Sequence, residues 1–234
     1  MRLYSGCSGF SYQEWKGTFY PSDLAAKQFL GFYAKKMPSV ELNNTFYRTP
    51  KPEQLASWAS EVPDHFRFAL KASRRITHFG RLGDVAAVTE SLIQTVSALG
   101  PKLGIVLFQL PPNLKQDTDR LRKFLQLVEG RVPVAVEFRH GSWYTEETLG
   151  ILKAHDAALV IGDPEDGVPE APWRCTGTRS YVRLRKDSYS EGELEGWATK
   201  LKQLSASEAF VFFKHEVTAP AYAQAFSRFF EASS

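Results

Sequence analysis

The chain has little of what marks a specialised class of protein. Its 234 residues hold only two cysteines, Cys7 and Cys175, too few and too far apart for a disulfide framework or a zinc cluster. No apolar run approaches the roughly 20 residues that span a bilayer, so a membrane partner is not expected. Neither sign of charge dominates. With 29 Lys and Arg against 26 Asp and Glu, the net charge of +3 is too mild to argue for nucleic acid from bulk electrostatics. The basic clusters KASRR (71–75) and RLRK (183–186) are short, and repeats, low-complexity tracts and charged tails are absent. The run GCSGF (6–10) is neither a G-x-G-x-x-G nor a Walker phosphate loop. The opening MRLYSG lacks the basic-then-apolar pattern of a secretory leader, and a reducing cytoplasm is the expected location.

What is present is the balance of a globular protein, with 43% hydrophobic and 24% charged residues. The length suits one large domain over 1–234 with a single sizeable core. Eight β-rich runs recur along it, at 2–10, 39–43, 66–72, 102–110, 132–139, 157–163, 180–185 and 209–215. Between them, segments 23–36, 52–61, 84–99, 117–129, 145–155, 191–204 and 219–231 carry apolar residues at helix spacing. Ser190 with Glu193 forms a capping-box signature, and Gly100 and Gly130 stand where helices commonly stop. The gap at 164–179, rich in Pro and Gly, reads as a long loop. Strands alternating with helices imply parallel pairing. Eight such units predict an α/β fold, a (β/α)8 TIM-like barrel in which a long loop replaces the helix after strand 6.

In such a barrel, one face of each strand packs on helices and the other lines the interior, and catalytic groups come from the C-terminal strand ends. The run VAVEFRH (134–140) shows the principle: Val134, Val136 and Phe138 oppose Ala135, Glu137 and Arg139. Alternation likewise sends Glu41, Asn43, Lys71, Gln109, Arg183, Arg185 and Lys214 inward. In strand 6, Leu159 and Ile161 are expected to lead to an inward Asp163. The expected rim thus combines carboxylates, cations and amides, with His78, His140 and His215 in the loops that follow. Tyr47, Trp15 and Trp143 join them, the two tryptophans as candidates for stacking on a sugar or base.

Two readings of this rim compete. Glu41 or Glu137 against Arg139 or Arg183 could form ion pairs that plug the barrel mouth. In the functional reading, Arg183 and Arg185 grip an anion, Lys71 serves as a proton shuttle or imine former, and Glu137 or Glu41 is the partner acid or base. Asp163 completes the catalytic candidates. A divalent metal is less favoured, because no H-x-H or H-x-x-x-H spacing supports one. Cys7 reads as a small core residue.

The same stretches carry a family likeness. SGFSYQEWKGTFYP (8–21), VELNNTFYRTP (40–50), FALKASRRITH (68–78), KLGIVLFQLPP (102–112) and VEFRHGSW (136–143) resemble the YecE-like family, domain of unknown function 72. YVRLR with YSEGELEGWA (181–198) and FVFFKHE (210–216) extend the likeness over nearly the full length. The resemblance implies a single TIM-like barrel and supplies no reaction. It places Glu41, Asn43, Thr45, Tyr47, Arg48, Lys71, Thr77, His78, Gln109, Glu137, Arg139, His140, Trp143, Asp163 and Arg183 in motif positions. The expectation is an enzyme acting by acid–base chemistry on a small phosphorylated or carboxylated molecule. A nucleic-acid-binding or processing protein, or a non-catalytic ligand-binding protein, is the alternative.

Overall fold

The computed structural model describes residues 1–163, 167–214 and 216–232. Eight strands close into a barrel in chain order: β1 (Arg2–Cys7), β2 (Ser39–Leu42), β3 (Arg67–Lys71), β4 (Leu103–Gln109), β5 (Val134–Glu137), β6 (Ala158–Gly162), β7 (Arg179–Leu184) and β8 (Glu208–Phe213). Every neighbouring pair is parallel, and β1 closes the circle on β8 from Arg2↔Glu208 to Cys7↔Phe213. Among the described residues, seven α-helices surround it: α1 (Phe29–Ala34), α2 (Pro52–Glu61), α3 (Ala86–Val96), α4 (Thr118–Val128), α5 (Glu146–Ala154), α6 (Glu191–Lys202) and α7 (Ala219–Ala232). Among the described residues, the connection from β6 to β7 contains no helix, as its Pro and Gly content predicts. The first helix is shorter than its periodicity suggests, because Ala26–Gln28 form a 3-10 turn before α1.

Ser190 with Glu193 forms the complete capping box its spacing predicts, while Asp117 accepts from the Arg120 amide and Thr145 from the Thr148 amide at two other helix starts. Asp84, a further candidate start, does not cap α3, which follows Val85 with no side-chain cap. The feature without a sequence forecast is a π-helical turn over Arg75–Phe79, directly after β3.

Two apolar layers follow from the two faces of the strands. The outer layer joins Val40, Leu70, Val136, Phe138 and their equivalents to the helices. The inner layer is small: Tyr4, Ala69, Ile105, Leu107, Ala135, Ala158, Val160, Tyr181, Phe210 and Phe212. Its large rings come from β1, β7 and β8, with Tyr4 stacked on Phe210 at 4.9 Å and Tyr181 against Phe212 at 5.4 Å. Strands β3 to β6 answer with smaller, non-aromatic residues: Ala69, Ile105, Leu107, Ala135, Ala158 and Val160. A Cβ on Gly104 would stand 2.7 Å from the Phe210 ring. Gly6 has a different reason, because a Cβ there would lie 1.9 Å from the Ser39 carbonyl oxygen of β2. The barrel interior is therefore filled by side chains, with Arg2 and Arg67 over Tyr4 at its lower end and a polar rim at its upper end.

Strand β6 departs from the sequence reading. Leu159 and Ile161 belong to the helix-facing layer, while Ala158 and Val160 face inward. Asp163 consequently does not continue an inward series.

Candidate functional site

Above the inner apolar layer, the C-terminal ends of β2, β5 and β7 send Glu41, Glu137 and Arg183 to one place. All three are buried. Arg183 donates from Nη1 to Glu137 Oε2 at 2.8 Å and from Nη2 to Glu41 Oε2 at 3.0 Å, and its Nε lies 2.9 Å from Glu41 Oε1. The Asn43 carbonyl oxygen lies a further 3.4 Å from Nη2. Glu41 also accepts from Ser8 Oγ at 2.6 Å, Asn43 Nδ2 at 2.7 Å and the Tyr181 hydroxyl at 2.8 Å. Glu137 accepts at Oε1 from Gln109 Nε2 at 2.7 Å and Arg139 Nε at 2.9 Å.

This electrostatic balance decides the charge states. Burial alone would raise the Glu41 carboxyl, but Arg183 and the Ser8 hydrogen bond outweigh it and hold it at about 2. Burial likewise opposes ionisation of Glu137, and Arg183 and Arg139 reverse that into a lowered value. Both carboxylates stay ionised at neutral pH, with their lone pairs engaged. Arg183 is equally engaged, so its guanidinium does not reach for an outside anion, contrary to the gripping role expected of it. Here the plugging arrangement describes the geometry.

Lys71 is different. Its Nζ donates to Gln109 Oε1 at 2.7 Å and stands 4.3 Å from the centre of the Phe46 ring. Among the described residues it forms no ion pair with a carboxylate. Burial first, and repulsion from Arg183 second, bring its amine down to about 8, against partial compensation by Glu137 and Glu41. Gln109 is thus a fixed bridge, giving its amide to Glu137 and its carbonyl to Lys71. Loop residues complete the surroundings. The Phe46 ring meets His78 edge-on at 4.8 Å, and the Thr77 hydroxyl lies 2.9 Å from His78 Nδ1. Burial, with help from Lys71, lowers the His78 imidazole.

Several expected rim residues stand elsewhere. Asp163 accepts the Arg185 amide at 2.7 Å and the Tyr189 hydroxyl, fixing the turn after β7. Arg185 borders a recess of about 40 Å³ with Glu137, Asp163 and Arg183, room for roughly three waters. Trp15 and Trp143 are fully buried. Their indoles donate to the Glu216 and Leu114 carbonyl oxygens, and Trp143 stacks on Phe138 at 4.7 Å. Both are packing residues with no face left for a ligand. His140 accepts the Ser142 amide at Nδ1, capping a short turn. Lys214 pairs at the surface with Asp187 at 2.8 Å and Glu216 at 3.1 Å. His215 lies outside the described residues. Among the described residues, no group of three or more His, Cys, Asp or Glu is placed to hold a metal ion.

Tyr47, expected at the rim, is exposed at 70% beside Phe79 at 69%, which had not been expected, and the Arg74 guanidinium lies over both rings at 5.6 and 5.2 Å. Beside the rim, between the loops after β1 and β2, a cavity of about 700 Å³ opens, with Ser8 and Asn43 at its inner end.

Residues 4–234 match the family described as "Protein of unknown function DUF72". The chain belongs to this family. A curated relative, UPF0759 protein YunF of Bacillus subtilis (strain 168), is 26% identical over 91% of this chain and 88% of its own length. UPF0759 protein YecE of Escherichia coli (strain K12) is 28% identical over 78% of this chain and 77% of its own length. Among solved structures, a DUF72 family protein from Thermotoga maritima MSB8 superposes with a TM-score of 0.85 at 28% identity, covering 99% of this chain and 100% of that one. More distant barrels share the fold alone, such as a D-psicose 3-epimerase with a TM-score of 0.52 at 8% identity, over 90% of this chain and 92% of that one. Neither the family description nor its members' names supply a reaction. Among the described residues, no helix is long and apolar enough to cross a membrane.

Proposed function

We propose that this DUF72 barrel is an enzyme acting on a small anionic molecule at its C-terminal face, with Lys71 moving the proton. One observation carries the reading: the Lys71 amine stands beside a cluster of buried charges, donates to the Gln109 amide at 2.7 Å and, among the described residues, has no carboxylate partner, and its burial lowers it to about 8. The amine is partly neutral at physiological pH, which suits general acid–base work. The neutral amine accepts a proton from the bound substrate, and the resulting ammonium returns it to the product. Glu41 and Glu137 are too firmly ionised and hydrogen-bonded to exchange protons near neutrality. Their negative field only partly offsets the burial and the Arg183 charge that lower the Lys71 amine.

The experiment starts without a known substrate. Trace acetylation followed at each lysine by mass spectrometry, from pH 6 to 11, should show Lys71 with a midpoint near 8. Surface lysines should titrate around 10.4. A Lys71 midpoint at 10 or above would remove the basis for the proposal. A pool of phosphorylated and carboxylated metabolites should then be consumed by the wild-type protein and left intact by Lys71→Met.

A second reading, nucleic-acid binding, draws on the exposed pair Tyr47 and Phe79 around Arg74. Exposed rings and a guanidinium beside a basic rim suit the stacking of unpaired bases. A gel shift with single-stranded RNA should then weaken with salt and with Tyr47→Ala. Absence of binding at low salt ends this reading.

A further inference from the structure

The cavity between the loops after β1 and β2 has a composition unlike the rest of the rim. Its volume, about 700 Å³, lies in the range of small-molecule sites. Arg48 and Lys51 line it, and no Asp or Glu does among the described residues. Several other cations of this face meet carboxylates: Arg183 with Glu41 and Glu137, Arg139 with Glu137, Lys214 with Asp187. Among the described residues, neither Arg48 nor Lys51 makes a side-chain hydrogen bond or ion pair, and neither has a further interaction left unnamed. Two uncompensated cations facing one cavity favour a dianion over a neutral guest.

The remaining lining says what the dianion is attached to. Ser11, Asn44, Thr49 and Gln54 present hydroxyl and amide groups, again without side-chain partners among the described residues. Trp58, edge-on to Phe10 at 6.0 Å, adds an aromatic wall. At the inner end, Ser8 and Asn43 are pinned by Glu41 at 2.6 and 2.7 Å, so the cavity abuts the charged cluster through neutral, fixed groups. Thr45 lines the cavity while its hydroxyl donates to the Lys71 carbonyl at 2.6 Å, tying this wall to the strand that carries the amine. The first turn of α2 begins beside Lys51 with no side-chain cap, adding its dipole to a field already positive.

We infer that this cavity binds the phosphate ester of a hydroxyl-rich molecule, a sugar phosphate. The phosphate lies at Arg48 and Lys51, the hydroxyls along the amide-lined wall, and the far end at Ser8 and Asn43, which Glu41 holds. The inference rests on the reading of this face as a small-anion site and names its substrate class. It also moves the phosphate away from the β7–β8 side, where Arg183 and Arg185 had been expected to hold it.

Calorimetric titration at low ionic strength tests it, with ribose 5-phosphate, inorganic phosphate and ribose as probes. Ribose 5-phosphate should bind saturably, phosphate more weakly, and ribose not at all. The double variant Arg48→Ala/Lys51→Ala changes two exposed side chains and should melt like the wild type. It should bind ribose 5-phosphate at least tenfold more weakly, while Lys71→Met should stay within a few-fold of wild type. Absence of saturable binding by both anions, or equal binding by the double variant, overturns the inference. So does loss of binding in Lys71→Met alone, which would put the anion at the amine and leave the acid–base proposal standing. The converse result, with binding lost in the double variant and Lys71 titrating above 10, would spare this site and overturn the proton-transfer role.

Discussion

Arg183 Nε lies 2.9 Å from Glu41 Oε1 although the two residues are 142 positions apart in sequence and both are nearly inaccessible to solvent. Charges at that depth persist only when they neutralise one another, because removal of either leaves the other stranded. Arg183→Met should therefore lower stability by about 3–5 kcal/mol, measured by urea unfolding. The triple variant Glu41→Gln/Glu137→Gln/Arg183→Met should recover much of that loss. A cost below about 1 kcal/mol for the single change would mean that water reaches the abandoned carboxylates.

Acid should act through the same carboxylates. The Glu41 carboxyl sits at about 2 in the folded chain against an ordinary 4.5. A depressed folded value contributes stability that is complete above the unfolded value and lost as pH falls through the folded one. Stability should thus decline between about pH 4.5 and pH 2, and Glu41→Gln should flatten that decline. An acid limb unchanged by Glu41→Gln would count against the charge balance described here.

Lys71 has the opposite sign. Its amine is lowered to about 8 from 10.5, so between those values the unfolded chain binds more protons than the folded one. Stability should rise with pH across that window as the penalty for the buried charge is relieved. Wild type should gain on Lys71→Met from pH 8 to pH 10.5, by chemical unfolding at matched ionic strength. Parallel curves for the two proteins would show that the amine is not perturbed.

Two glycines should respond in opposite directions to alanine. At Gly6 the new methyl would meet the Ser39 carbonyl oxygen of β2 at 1.9 Å and the Tyr33 hydroxyl at 2.8 Å, so Gly6→Ala should cost at least about 2 kcal/mol. Gly196 lies within α6 with nothing within 4 Å, and Gly196→Ala should stabilise by about 0.5–1 kcal/mol. Thermal melts of the two variants suffice to check both signs.

The alternation of strands with helices was legible in the sequence because each segment carries its own period. The inward placement of Glu41, Lys71, Gln109, Glu137 and Arg183 was legible because each is a polar residue at or near the C-terminal end of a strand whose alternation fixes which face it shares. Strand β6 offers no such contrast. Ala158, Leu159, Val160 and Ile161 are all apolar, so polarity does not say which face Asp163 shares. What distinguishes the faces of β6 is side-chain size, since the interior needs small residues opposite the rings of Tyr181 and Phe212. Trp15 and Trp143 misled for another reason. Aromatic residues in loops suit ligand stacking, but these indoles find carbonyl partners far along the chain, which no local pattern announces. The cavity of Arg48 and Lys51 was hidden likewise, since it forms where two irregular loops meet.

The buried trio also bears on how the chain reaches its closed form. Its members lie on the second, fifth and seventh strands, so a polypeptide emerging from the ribosome carries both glutamates well before their shared counter-ion is made. Until Arg183 arrives, sealing the mouth of the barrel would trap two like charges away from water. Closure is thereby coupled to completion of β7 and of β8, its bridge back to β1. A truncated product lacking that last quarter should stay open and be removed by proteases.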